Sequence, residues 1–180
     1  MSTHITTEHH RGSARIFDNP FLESLTKTSL RQNILVYGTV IAALIYYAVA
    51  VKEIPVLDFI GIFSFALFSW TFAEYMLHRY LFHWISDNKF VQRFHFVMHG
   101  SHHLYPRDKE RLLMPPVPGL LMASILFLIF YAFFSLFGIG NYTWAFFPGF
   151  FLGYLLYSFV HRATHVAKPP KNFKYIWKHH

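Results

Sequence analysis

The sequence predicts an all-α integral membrane protein in which four transmembrane helices carry a cytosolic, histidine-rich helical cap. Hydrophobic residues make up 54% of the 180 residues and charged residues only 14%, unlike an average soluble domain. The apolar residues are gathered in runs long enough to cross a bilayer. Most of the 13 histidines lie outside those runs, on one predicted side of the membrane. A chain of this length has room for one domain of ordinary size.

The chain is predicted to begin with a polar N-terminal tail, residues 1–31, that is mobile over most of its length. Within this tail, Asp18, Asn19 and Pro20 favour a turn, after which a short interfacial helix can form. The membrane domain is predicted to cover residues 32–180.

Two predicted spans precede the main histidine cluster. The first lies near residues 34–53 and contains an apolar run without charge from Ile34 to Val51. The sequence KEIP at 52–55 then turns the chain. The second span lies near residues 56–77, and its helix is expected to project a polar end beyond the membrane.

Two further spans are predicted after the cluster. No charged residue occurs between Leu112 and Val160, and this stretch is too long for one crossing. The turn sequence GIGN at 138–141 divides it into a hairpin with spans near residues 117–137 and 142–160. Three residues that permit a kink or a close helix contact lie in the last span: Pro148, Gly149 and Gly153.

The formal net charge of +7 comes from basic residues that lie largely in the gaps between apolar spans. This pattern indicates membrane orientation and contact with anionic headgroups, and no nucleic-acid partner is expected. The positive-inside rule places the N-terminus, residues 84–111 and the C-terminal tail in the cytoplasm. We therefore expect a multi-pass protein of a bacterial inner membrane or of the endoplasmic reticulum.

The histidines form groups whose spacing is typical of metal ligands. On a helix, His95 and His99 lie four residues apart, and His99 faces His102 and His103. Three further groups are expected on the same membrane face: His78 with His83, His161 with His165, and His179 with His180. This number of imidazoles exceeds the needs of one four-coordinate metal and favours two metal ions. Taken singly, each group could equally be a set of polar interfacial histidines.

The chain has no cysteine, so a metal would be held by imidazole and carboxylate groups. Nitrogen ligands suit iron, zinc or copper. Glu74 lies one helical turn before His78 and could orient it through the second imidazole nitrogen, and Asp108 could do the same for a neighbouring histidine. For Glu74 a charge that reaches the membrane interface is the alternative. Redox metals beside lipid tails would suit an oxygen-activating enzyme that attacks a C–H bond.

Three stretches of the sequence stand out as motifs: EYMLHRYLFH at 74–83, FHFVMHGSHH at 94–103, and RLLMPP at 111–116, with Pro106 and Asp108 before the last. They resemble motifs of the fatty acid hydroxylase superfamily, and most closely those of the fatty acid (sphingolipid) 2-hydroxylases. The resemblance covers the chain from about residue 56 to its end. It implies a four-span membrane hydroxylase domain under a cytosolic histidine-rich cap, a nonheme diiron centre, and O2-dependent hydroxylation of a lipid acyl chain at C2.

The resemblance also implies the ligands and partners. The implied metal ligands are His78, His83, His99, His102, His103, His161, His165 and His180. The residues implied beside the ligands are Glu74, His95, Asp108 and His179. Two iron ions are expected, with zinc able to replace iron in purified protein. Because a fused cytochrome b5 domain of some relatives is absent, electrons are expected from a separate protein such as cytochrome b5 or ferredoxin.

Two departures from the family pattern leave alternatives open. Val166 stands where the family has a second adjacent histidine, and the last family group, His-x2-His-His, would begin at His180. The domain is therefore expected to be incomplete at its C-terminus. The alternatives are a sterol or carotenoid hydroxylase or desaturase, a membrane metal-binding or transport protein, and an inactive homologue. The spans have almost no ionisable residues near the bilayer midplane, which disfavours transport.

Overall fold

A computed structural model of the protein describes residues 15–82, 86–95, 105 and 108–167. These residues contain helices, turns and no strand. The helices are α1 (Pro20–Ser24), α2 (Leu30–Tyr46), α3 (Val56–Met76), α4 (Lys89–His95), α5 (Pro116–Ser135) and α6 (Thr143–Val166). Short π-helical segments continue α2 over Tyr47–Val51 and α3 over Leu77–Phe82, and a 3-10 turn at Gly140–Tyr142 precedes α6.

In the described part of the chain, four helical segments are long and apolar enough to cross a membrane, which confirms the predicted four-span helical fold. Their bounds are Leu30–Val51, Val56–Tyr80, Pro116–Leu136 and Gly140–Val166. The last segment is the centre of the bundle, because 61% of its most apolar window is buried, against 11–17% for the other three. The outer helices present large apolar side chains such as Phe68 and Leu128 to lipid.

The packing of α3 against α6 depends on two glycines of α6. A Cβ atom on Gly149 would collide with the carbonyl group of Phe63, and one on Gly153 would lie 2.9 Å from the carbonyl oxygen of Leu67. The two backbones therefore approach more closely than larger side chains would permit, as small residues allow in membrane helices. This confirms the close helix contact that the sequence predicts at Gly149 and Gly153.

Gly153→Ala is expected to lower the thermal unfolding temperature of the detergent-solubilised protein. The added methyl group overpacks the α3/α6 contact, and overpacking costs roughly 1–3 kcal/mol. Gly61→Ala on α3 is the matched control, since a Cβ atom there meets no other atom within 4 Å. An alanine at this site should keep or raise stability because it favours helix over glycine. Equal unfolding temperatures for the two variants would contradict the close-contact interpretation.

The part of the N-terminal region from residue 15 onward is folded against the segment that follows the histidine cluster, where sequence analysis predicts a largely mobile tail. Asn19 caps α1 by accepting a hydrogen bond from the amide of Phe21 at 2.9 Å. The Glu23 carboxylate pairs with Arg111, and Arg111 also donates to Asp108 at 2.9 Å. The structure differs from the predicted mobile tail because the partner of Glu23 lies 88 residues further along the chain.

Helix α2 is tied to the same segment by buried polar groups. The Asn33 side chain donates to the carbonyl oxygen of Met114 at 2.9 Å, and the Tyr37 hydroxyl donates to the carbonyl oxygens of Met114 and Pro115 at 3.0 Å. Thr28 donates to the Asn33 side-chain oxygen at 2.6 Å. Each bond satisfies a polar group that would otherwise be costly to bury. The RLLMPP motif is thereby fixed to the membrane helices.

Glu23 makes this clamp sensitive to acid. Desolvation raises the pKa of Glu23, but hydrogen bonds from the amides of Phe17 and Ile16 and the charges of Arg111 and Lys27 together hold it below the usual value. A carboxyl whose pKa is lowered by folding stabilises the fold above its unfolded pKa, and this contribution is lost as the pH falls through the folded pKa.

Acidification below the ordinary glutamate pKa of about 4.3 should therefore lower the unfolding temperature of the wild type more than that of Glu23→Gln. The glutamine variant should start from a lower temperature at pH 7, because it lacks the charge that pairs with Arg111. Unfolding temperatures measured in steps from pH 7 to acid check this. Parallel curves for the two proteins would show that Glu23 does not contribute through its charge.

Candidate metal centre

Two predicted ligands lie together on the last two turns of α6. The ring centroids of His161 and His165 are 5.0 Å apart, and the Tyr157 ring lies 5.8 Å from that of His161. The helix continues through these residues because the stretch from 161 to 166 contains neither proline nor glycine. Residues four apart share one side of a helix, so both imidazoles are presented to the same region.

His78 lies on the π-helical turn Leu77–Phe82 that continues α3. In an α-helix, His78 and His83 would point about 140° apart, because they are five residues apart and each residue advances about 100°. A π turn closes a hydrogen bond between residues i and i+5, so it brings residues at this spacing one above the other. The turn thus suits the five-residue spacing of this histidine pair, although His83 itself lies outside the described residues.

A cleft of about 780 Å³ runs between α3 and α6 and reaches His78. Apolar side chains form most of its walls: Leu67, Phe68, Trp70, Leu156 and Val160. Phe68 and Leu156 are also exposed on the lipid-facing side of the bundle, so the cleft is open to the membrane. Apart from Thr71, its polar groups are concentrated near His78: Glu74, Tyr75, Arg79 and Tyr157. The cleft can therefore hold an apolar chain with its polar end near the histidines.

Glu74 and Tyr157 both line the cleft, on α3 and α6 respectively, and lie close enough to interact across it. Glu74 precedes His78 by one turn, and Tyr157 precedes His161 by one turn. The pair therefore links α3 to α6 directly beneath the histidines that each helix carries. The predicted contact of Glu74 with His78 stays a prediction.

Tyr157 is a residue of the cleft that the sequence motifs do not predict. The available signal was its spacing, because Tyr157 stands four residues before His161 as Glu74 stands four before His78. Asp108, which was predicted to orient a histidine, is buried and accepts a hydrogen bond from Arg111. Its role toward a histidine also stays a prediction.

The other predicted site residues lie outside the described part of the chain. They are His83, His99, His102, His103, His179 and His180, and the side chain of His95 is likewise undescribed. Within the described ranges, no three candidate ligands come together. The donors present there fit a metal such as iron or zinc, since His78, His161 and His165 are neutral nitrogen ligands at the same end of two packed helices.

Comparison with known proteins identifies the family. The fatty acid hydroxylase family model matches residues 63–180. The chain is 33% identical over 181 residues to the ceramide very long chain fatty acid hydroxylase SCS7 of Saccharomyces cerevisiae, covering 98% of this chain and 45% of that protein. It is 41% identical over 125 residues to the fatty acid 2-hydroxylase of Mus musculus, covering 68% of this chain and 32% of that protein. The chain therefore spans less than half the length of these relatives.

A solved structure described as full-length scs7p, with only its hydroxylase domain visible, has the same fold. It superposes with a TM-score of 0.80 at 32% sequence identity, covering 94% of this chain and 63% of that one. The shared fold agrees with the four membrane helices and with the match that runs from within α3 to the end of the chain. This chain belongs to the fatty acid hydroxylase family.

Proposed function

We propose that the protein hydroxylates a lipid acyl chain at C2, using O2 and a histidine-ligated nonheme diiron centre. The observation that carries this proposal is the cleft between α3 and α6, whose apolar walls lead from the membrane to His78. The names of the relatives support the reaction and the substrate class, since they are fatty acid 2-hydroxylases and a ceramide fatty acid hydroxylase.

The proposed ligands are the eight histidines that match the family motifs: His78, His83, His99, His102, His103, His161, His165 and His180. Iron with dioxygen would supply the strong oxidant that an unactivated C–H bond requires. The chain's own residues hold the acyl group in place and keep water from the reacting carbon. Leu67, Trp70 and Leu156 line the part of the cleft where the methylene chain would lie.

The proposed orientation places the histidine end of the bundle in the cytoplasm, where a soluble or membrane-bound donor such as cytochrome b5 or ferredoxin can deliver electrons. The basic residues at this end support that orientation under the positive-inside rule. A cytoplasmic accessibility test of a cysteine introduced at Lys109, in this otherwise cysteine-free chain, would establish the side.

Lipid extracts test the reaction itself. Cells that produce the protein should contain 2-hydroxy acyl chains that are absent from matched cells without it. Cells that produce His99→Ala at equal membrane levels provide the control for overexpression. A change confined to sterols or carotenoids would instead indicate another reaction of the superfamily, and an unchanged lipid profile would contradict the proposed activity.

A further inference from the structure

Arg79 lies at the histidine end of the cleft and is held there by tyrosines. One guanidinium nitrogen donates a hydrogen bond to the Tyr75 hydroxyl at 2.5 Å. The guanidinium carbon lies 5.9 Å from the centre of the Tyr75 ring and 5.5 Å from that of Tyr80. Contacts with the faces of aromatic rings attract a cation and restrict its position. These contacts position Arg79 at the cleft, and no acid among the described residues forms an ion pair with it.

Toward the described residues, Arg79 leaves further donors that a ligand could use. In the part of the chain that the structure describes, the ion pairs involve other residues, and none joins a carboxylate to Arg79. A guanidinium group has five N–H donors in a planar fork, and the contact with Tyr75 uses one nitrogen. This fork matches two acceptor oxygens, or one carbonyl oxygen, better than a lysine would.

The other residues of the cleft indicate which kind of ligand carries the acceptor oxygens. Most of its lining surface is apolar, so the ligand has a long hydrocarbon chain. Apart from Thr71, its polar residues lie toward the end of the cleft that carries Arg79. A carboxyl or amide group at the end of an acyl chain meets both conditions. Because His78 and Arg79 both line this end of the cleft, oxygens bound at Arg79 would hold the next carbon of the chain near the histidines.

We propose that Arg79 binds the C1 oxygen atoms of the acyl substrate and thereby selects C2 as the carbon that faces the metal centre. This inference rests on the proposed hydroxylation of an acyl chain and adds the residue that sets its position. The shared chemistry is an acceptor oxygen on C1, whether it belongs to a free carboxylate or to the amide carbonyl of an N-acyl lipid.

The alternative for Arg79 is an ordinary interfacial cation that contacts bulk lipid headgroups, as arginines near helix ends often do. The two roles differ in what they predict for ligands inside the cleft. If Arg79 contacts only bulk headgroups, its loss should not depend on which ligand occupies the cleft. A C1 anchor affects only those ligands that carry an oxygen at the end of the chain.

Binding is measured with the full chain in phosphatidylcholine nanodiscs, using energy transfer from tryptophan to cis-parinaric acid. Trp70 lines the cleft, so the bound polyene lies near a donor. Palmitic acid, an N-palmitoyl sphingoid base and hexadecane then compete with the probe. Arg79→Gln should weaken binding of the first two competitors about tenfold or more, as expected for loss of a charge-assisted hydrogen bond, and leave hexadecane unchanged.

Matched variants separate this role from general effects. Lys52→Gln removes another cation that lies over aromatic rings, near Tyr47 and Trp144 and away from the cleft, and should bind all three competitors like the wild type. Tyr75→Phe keeps the charge but removes the hydrogen bond that positions it, so it should show a smaller loss. If the tenfold change affects only one competitor, that competitor identifies the source of the C1 oxygen.

Equal binding of palmitic acid and the N-acyl lipid by wild type and Arg79→Gln would overturn the proposal. The products provide a second test, in which Arg79→Gln should yield 3-hydroxy chains beside 2-hydroxy chains. If wild-type protein hydroxylates no acyl chain, the proposed function fails, yet the competition experiment still decides whether Arg79 binds the C1 oxygens.

Discussion

His161→Ala is expected to abolish acyl hydroxylation and to lower the amount of bound metal, while the protein remains in the membrane. His161 is buried on α6, 5.0 Å from the ring of His165, so alanine removes one donor from a preformed pair. The loss of activity should exceed the roughly 10- to 100-fold loss that follows removal of a group that only orients a ligand.

Metal counting per chain, membrane fractionation and helical content measured by circular dichroism together check this result. His99→Ala and His103→Ala are expected to behave in the same way. His9→Ala provides a matched control because it removes an imidazole outside the proposed ligand set. Full activity and a full complement of metal in His161→Ala would remove this residue from the centre.

Tyr157→Phe is expected to weaken metal binding and activity by roughly 10- to 100-fold. The substitution deletes only the hydroxyl that pairs with Glu74 across the cleft. Without this pair, the ends of α3 and α6 lose a direct link one turn below His78 and His161, and the two groups of ligands are no longer fixed relative to one another. Glu74→Gln should be milder, since its amide oxygen is still an acceptor for the nearby Tyr157 hydroxyl.

The rate at which a chelator removes metal from the purified protein measures this effect without relying on turnover. Tyr75→Phe is the control, since it deletes a hydroxyl from the same cleft that contacts Arg79 on its own helix. It should release metal at the wild-type rate. Wild-type release from Tyr157→Phe would show that the cross-helix pair does not support the metal centre.

The four membrane helices could be predicted because lipid solvates them. Apolar residues need not alternate with polar ones when both sides of a helix lie in hydrocarbon, so the spans stand out as continuous apolar runs. Hydropathy marks where the membrane ends, however, and not where a helix ends. Helix α6 therefore continues to Val166, six residues beyond the predicted span, and carries His161 and His165 out of the apolar region.

The details of the site depend on contacts between distant parts of the chain. The π turn carries His78, and its only trace in the sequence is the five-residue spacing to His83. The pairing of Glu74 with Tyr157 required the relative register of α3 and α6, which Gly149 and Gly153 help to set. Neither can be read from local sequence preferences.

The structure of the N-terminal region likewise depends on a contact between residues that are far apart in the sequence. Its polar composition is typical of a mobile tail, and nothing near Glu23 reveals that Arg111 is its partner. Once the two are brought together, the charge on Arg111 is compensated by both Glu23 and Asp108 in a buried setting. Pairing of this kind makes a polar segment as much a part of the folded domain as an apolar one.

The most direct test of the proposed function is the origin of the hydroxyl oxygen. Purified protein loaded with iron and supplied with an electron donor is incubated with an acyl lipid under 18O2, and the product is analysed by mass spectrometry. We expect a 2-hydroxy acyl chain that carries one 18O atom and forms only when both iron and reductant are present. A hydroxyl group derived from water, or product formed equally well without iron, would contradict the proposed function.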